Sequence, residues 1–350
     1  PGVMRLWSLQ AMAHGADSVM FFQMRRTVGA CEKYHGAVID HVGTENTRVF
    51  REITALGEEL KRLGTDTMQM RTESKIGIFF DWDNWWALEY SAGPSCELKY
   101  LTEVFRYYDA LRREGFDVDF VSPADDFGGY RLLIAPVWYM VKGDADDKIR
   151  KFVGEGGRFL TTFFSGIVQE NDLVTLGGYP GKLRDILGIW VEEQDALPHE
   201  VSNSFVYRGE KYPATLLCDL LHLEGAEQLD ESGYGEDFYE GMPVLTCNSY
   251  GKGKAYYVAT ASDEEFYRKF LKDVCTEAEI QPALQEVPDG VEVTSRSRGA
   301  QKLWYLLNHK ETSASVDLPV PTEDLLTGEK RAAGEITLAP KDVVILRRMQ

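Results

Sequence analysis

Glu32 and His35 stand three residues apart in the polar run Cys31-Glu-Lys-Tyr-His-Gly36, shortly after the apolar run Ser18-Val-Met-Phe-Phe-Gln-Met24. A carboxylate and an imidazole so spaced can direct hydrogen bonds to ligand hydroxyls, or supply two ligands to a metal ion. The metal reading lacks a third ligand, and neither a helix nor a cysteine cluster supports one. An ordinary solvated loop is the third reading. Gln23, Met24 and Arg25 sit where the apolar run gives way to polar residues. Four or five apolar residues in succession suggest a strand buried on both faces, as in parallel barrels. Such a barrel places its chemistry at the C-terminal end of the strand. Arg25 could there pair with an active-site carboxylate and hold it ionised, or form a salt bridge on the barrel rim.

The elements that would position these groups lie on either side. Met4 to His14 reads as an amphipathic helix that Gly15 can terminate. A second helix is expected from near Thr44, with Val49, Ile53, Leu56, Leu60 and Leu63 forming an apolar stripe at 4-3-4-3 spacing. Residues 1–72 therefore read as helix, strand, loop and helix, like the last strand of a (β/α)8 barrel with its flanking helices. No leader precedes the first helix, so the chain is expected to be the C-terminal part of a longer protein.

From residue 73 to 278 strands and helices alternate, which argues for a doubly wound parallel sheet. Strands are expected at 75–80, 116–121, 131–136 and 157–162, and helices at 98–114, 144–154 and 263–278. Between 189 and 258 the pattern is β-rich, with a hairpin turn at Gly251-Lys-Gly-Lys254. The segment Asp81-Trp-Asp-Asn-Trp-Trp86 reads as a loop after the first strand. Trp82, Trp85 and Trp86 could form a sugar platform, or an interface or core cluster. Asp117 and Asp119 alternate with apolar residues and read as the solvent face of an edge strand. Asp144, Asp146 and Asp147 suit a helix N-terminus. No Gly-x-Cys-x-Gly elbow, phosphate-cradling loop or GxGxxG is present, so this region reads as a scaffold. Residues 279–350 carry only short alternating runs and read as a small antiparallel β-sandwich.

Composition narrows the function classes. The 350 residues hold 38 basic against 56 acidic side chains, a net charge of −18, which argues against binding a phosphate backbone. No apolar run approaches the ~20 residues of a bilayer-spanning helix. Five scattered cysteines (Cys31, Cys96, Cys218, Cys247 and Cys275) fit reduced thiols in a cytoplasmic protein, with no metal site.

Met4-Arg-Leu-Trp-Ser-Leu-Gln-Ala-Met-Ala-His-Gly-Ala-Asp17 and the later Glu-Lys-aromatic-His loop closely resemble family-42 glycoside hydrolases, the β-galactosidases. The resemblance continues through Phe79-Phe-Asp-Trp-Asp-Asn-Trp-Trp86, Tyr100, Tyr107 and Tyr108, and the order of regions fits along the whole chain. It implies the end of a catalytic TIM barrel over 1–72, an amidotransferase-like trimerisation domain over 73–278 and a C-terminal β domain over 279–350. It also implies a retaining enzyme acting on terminal β-D-galactosides as a homotrimer without a cofactor. Glu32 and His35 match the pair that binds the galactosyl unit, while the nucleophile and acid/base glutamates would lie upstream of Pro1. Met24 departs from the family's usual Trp, which puts substrate preference in question. The alternative is a non-catalytic assembly or sugar-binding module with an amidotransferase-like fold.

Overall fold

The computed structural model describes residues 1–349, which divide into two compact units. The first comprises residues 1–73, 112–117 and 282–350, and the second 74–111 and 118–281.

In the first unit, a helix spans Val3–Ala13 and stops at Gly15, whose φ of 115° suits a residue without a Cβ. Leu6, Leu9, Met12 and Ala13 pack with Leu56 and Leu63 of the second helix and with Leu303, Tyr305 and Ile345. That second helix, Arg48–Leu63, begins later than expected from Thr44 because Thr47 is its cap: the Thr47 hydroxyl accepts from the Phe50 N–H at 3.2 Å. The β-region is antiparallel, as its alternation predicts. Val291–Arg298, Gln301–Asn308, Val343–Arg348, Thr322–Asp324 and Lys330–Arg331 form one sheet, and Ala314–Leu318 pairs with Gly334–Leu338.

The expected strand over Ser18–Met24 does not form. The neighbouring backbone makes a single parallel bridge, Arg25 to Ile39, flanked by Val38 N–H to Gln23 C=O at 3.0 Å and Ile39 N–H to Met24 C=O at 2.8 Å. Met20 and Phe22, read as buried, are 91% and 74% exposed. A barrel strand needs a partner on each side. Among the described residues this segment has one, over a few residues only.

Two charged side chains tie the unit together. Arg296, 1% exposed, donates to the carbonyls of Met12 (2.7 Å) and Met70 (2.6 Å), with longer contacts to Gly15, Ala16 and Asp17. Glu292 receives Gln10, His14, His309 and Arg112. Burial alone would raise its pKa, but hydrogen bonds from His14 and His309 and the charge of Arg112 outweigh burial and hold it well below the usual carboxylate range. Asp117, expected on a solvent face, instead accepts from the hydroxyls of Thr294 (2.8 Å) and Ser295 (2.6 Å). Alternation alone could not reveal a partner 177 residues away in sequence.

The second unit is built on a seven-stranded sheet. Its order is Val118–Val121, Ile76–Phe79, Leu132–Ala135, Arg158–Thr162, Gly253–Val258, Leu245–Tyr250 and Glu227–Gln228. The first five strands are parallel; Leu245–Tyr250 joins antiparallel through the turn at Gly251-Lys252, and Glu227–Gln228 pairs antiparallel with Leu245–Tyr250. Glu210–Leu223 pairs with Ile189–Ala196, Asn203–Tyr207 and Thr260–Ala261. Helices Tyr100–Arg113, Ala145–Gly154 and Glu264–Glu277 fall where expected.

Asp219 is fully buried in this unit. Its carboxylate accepts from the Tyr257 hydroxyl at 2.5 Å and the Phe164 N–H at 3.0 Å, and burial pushes its pKa up to about 7.

Arg296→Met should lower the unfolding free energy by about 3 kcal/mol or more, because several buried carbonyls lose their donor. Urea denaturation measures it, and a loss below about 1 kcal/mol would contradict this role. For Asp219 the folded pKa lies above the unfolded one, so the folded state binds the proton more tightly. Its stabilising contribution is present below the ordinary carboxylate value and is lost as pH rises through about 7. The Tm advantage of wild type over Asp219→Asn should therefore shrink between pH 4 and 7, about the two pKa limits. A pH-independent difference would contradict it.

Candidate active-site segment

Glu32 lies in a single 3-10 turn, Cys31–Tyr34, which ends at His35; the His35 N–H donates to the Glu32 carbonyl at 2.9 Å. No residue of the turn is buried, and both candidate side chains, Glu32 and His35, are exposed. Two ring contacts accompany them. The Lys33 ammonium lies 5.2 Å over the Tyr34 ring, and Phe22 meets the His35 ring edge-on at 6.5 Å. Among the described residues no cluster of His, Cys, Asp and Glu is arranged to hold a metal ion.

Gln23 joins this segment through its backbone. Its side-chain oxygen accepts from the Thr27 hydroxyl at 3.0 Å, while its buried amide nitrogen has no partner among the described residues. Met24 is exposed and can offer apolar contact. Arg25 is also exposed, and among the described residues its guanidinium has no carboxylate partner. The rim salt bridge considered for it belongs to Arg26, which pairs with Asp40 at 2.9 Å. The sequence offered two adjacent arginines, and their types alone could not distinguish them.

In the second unit, the tryptophans lie on a helix, Trp82–Tyr90, where a loop was expected. Asp81 caps it by accepting from the Asp83 N–H at 3.0 Å. Nine residues rich in Trp and polar types carry little amphipathic period, which is why the helix was not legible. Spacings of three and four residues put the three indoles on one face. Trp82 stacks on Trp85 at 5.3 Å and lies 5.9 Å from Trp86. Trp82 and Trp86 remain 54% and 59% exposed.

The helix fills the place where an open α/β sheet usually binds ligands, the crevice beyond the strand ends where strand order reverses. Asn84 is fully buried there. It donates to the Val137 carbonyl at 3.0 Å and accepts from the Met140 N–H at 2.8 Å. Lys142 closes the rim on Asp81 (2.9 Å) and Asp83 (2.7 Å). One strand further, Phe164 holds a left-handed φ of 57°, a turn that could present a nucleophile. The adjacent Ser165 hydroxyl is engaged instead, accepting from the Trp138 N–H and bonding Thr161, both at 2.9 Å.

Comparison with known proteins assigns the chain to a family along most of its length. The β-galactosidase trimerisation domain of glycoside hydrolase family 42 matches residues 74–281, the family's β-galactosidase domain matches 1–63, and its C-terminal domain matches 290–348. The chain belongs to glycoside hydrolase family 42. Among family members, it is 50% identical to β-galactosidase BgaA of Planococcus sp. (strain 'SOS Orange'), covering 100% of this chain and 52% of that one. β-Galactosidase bgaB of Geobacillus kaustophilus is 42% identical over 99% of this chain and 51% of its own length. The crystal structure of the β-galactosidase from Bacillus circulans sp. alkalophilus superposes with a TM-score of 0.97 at 49% identity, covering 100% of this chain and 52% of that one. The chain thus spans about half the length of the relatives it matches.

Proposed function

We propose that this chain is part of a retaining β-galactosidase, which hydrolyses terminal β-D-galactosides through a covalent galactosyl-enzyme intermediate. Residues 1–72 supply the end of its catalytic (β/α)8 barrel. Residues 73–278 form an amidotransferase-like trimerisation domain, and residues 279–350 a small β domain. The carboxylate pair that performs the chemistry belongs to the half of the enzyme that this chain does not span. By itself the chain binds and assembles but does not turn over substrate.

Glu32 and His35, with Gln23 and Arg25, hold the galactosyl unit. The observation that carries this reading is the Cys31–Tyr34 turn, none of it buried, beside the exposed Met20, Phe21, Phe22 and Met24, within the stretch that matches the family's β-galactosidase domain. A polar rim next to an unpaired apolar segment is what the end of a barrel strand presents once its neighbours are removed. The acidic charge suits a neutral substrate, since a sugar is recognised by directed hydrogen bonds and stacking, not by net charge. The enzyme works as a cytoplasmic homotrimer. Its Trp82, Trp85 and Trp86 face reaches over a neighbouring subunit's barrel mouth and stacks on the apolar side of a pyranose.

In the full enzyme, Glu32→Gln should lower kcat/KM for a chromogenic β-galactoside by roughly 100- to 1,000-fold, because sugar contacts of this kind strengthen in the transition state. Its Tm should stay unchanged, since the side chain is exposed. Wild-type kinetics in that variant would overturn the assignment. Trp82→Ala should raise KM several-fold while the trimer stays intact in analytical ultracentrifugation. Dissociation of the trimer with normal KM would assign the indole face to the subunit interface instead.

A further inference from the structure

The Cys31–Tyr34 turn raises a physical problem that the rest of its unit does not share. None of its residues is buried, and Val28 and Tyr34 on either side of Glu32 are 91% and 76% exposed. Among the described residues, hydrophobic packing does not fix the pose of Glu32 and His35. Groups that bind a transition state need fixed positions, since small misplacements cost large factors in rate.

We propose that Arg26 is the positioning residue for this pair, clamping the turn from beneath through its guanidinium. Four donor contacts carry the inference. The Arg26 Nε donates to the Lys33 carbonyl and one terminal nitrogen to the Tyr34 carbonyl, both at 3.1 Å. These are the two peptide carbonyls lying between Glu32 and His35 in sequence. The other terminal nitrogen grips both oxygens of Asp40, at 2.9 and 3.2 Å. Asp40 is held in turn, because its Oδ1 also accepts from the His41 N–H at 2.6 Å. The clamp has a fixed base, as the Arg26 N–H donates to the Ile39 carbonyl at 3.0 Å, within the short parallel pairing of residues 23–26 with 38–39.

The planar, five-donor shape of arginine is what permits this arrangement. One fork faces a carboxylate while the remaining donors reach two carbonyls on another segment. A lysine could keep the Asp40 pair but could not span both carbonyls at once. The apolar contact to the loop, the edge-on meeting of Phe22 and His35, fixes a ring and not the backbone.

This inference rests on the β-galactosidase reading, and its test separates the two. In the full enzyme, Arg26→Met should lower kcat/KM for a chromogenic β-galactoside by roughly 10- to 100-fold, the worth of two charge-assisted hydrogen bonds. Galactose inhibition should weaken in parallel, with Tm shifted by less than about 2 °C. Arg26→Lys should show most of the same loss. Because Arg26 acts through Glu32, adding Arg26→Met to Glu32→Gln should cost little further activity. Hydrogen exchange of the amides over residues 28–36 should accelerate in Arg26→Met. Normal kcat/KM in both Arg26 variants of an active enzyme, or fully additive losses with Glu32→Gln, would overturn the clamp. A wild-type enzyme inert on β-galactosides would overturn the functional reading; the clamp then stands on exchange, and unchanged protection over 28–36 in Arg26→Met would overturn it too.

Discussion

The buried guanidinium of Arg296 is the interaction on which the first unit depends. It comes from a β-strand of the C-terminal region and ends on the carbonyls of Met12 and Met70. The Met12 carbonyl lies in the last turn of the helix, where it also accepts from the Gly15 N–H at 3.1 Å. The guanidinium adds a second, charged donor there and complements the negative end of the helix dipole. The same contact fixes where the chain leaves the helix Val3–Ala13, and so where the segment carrying Gln23, Glu32 and His35 begins. Glu292, gathering Gln10, His14, Arg112 and His309, reinforces the tie from a neighbouring position on the same strand.

A contrast in how parts are held follows. Helices and sheets of this unit are packed through aliphatic residues such as Leu9, Leu303 and Ile345, none of which is exposed to solvent. The segment carrying Glu32 and His35 has almost no such burial among the described residues, and Arg26 bonds its Lys33 and Tyr34 carbonyls. Segments of this kind sit at the low-stability end of a structure, and binding segments commonly do. The exposed Met20–Met24 run expresses the same fact from the apolar side. Its residues carry the composition of a doubly buried strand, and the described residues supply pairing for only its end.

How far the sequence could be read depended on whether a signal was periodic. The stripe Val49, Ile53, Leu56, Leu60 and Leu63 has a period, and its helix was legible apart from a start set by the Thr47 cap. Four of the five parallel strands and the Gly251 turn were legible from short apolar runs and turn residues. The helix Trp82–Tyr90 was not, because aromatic and polar residues alternate there without an apolar stripe. Thr322–Asp324 and Lys330–Arg331 are too short to show a period. Residue types and the family motif made Glu32 and His35 the candidate site residues. The contacts of Arg26 and Asp117 were invisible, since each depends on partners that only the fold brings near. The apolar run forms no strand among the described residues, because composition reports what a segment is suited to pair with, not whether the partner is present.

The central claim is that Glu32 and His35 present hydrogen-bonding groups to a galactosyl unit. The most direct measurement is a crystal structure of the full enzyme soaked with galactose. The account predicts a sugar with a ring hydroxyl within hydrogen-bond distance of the Glu32 carboxylate and another within reach of the His35 ring, above an Arg26 still bonded to the Lys33 and Tyr34 carbonyls. A galactose bound in the barrel that leaves both side chains facing bulk solvent would contradict it.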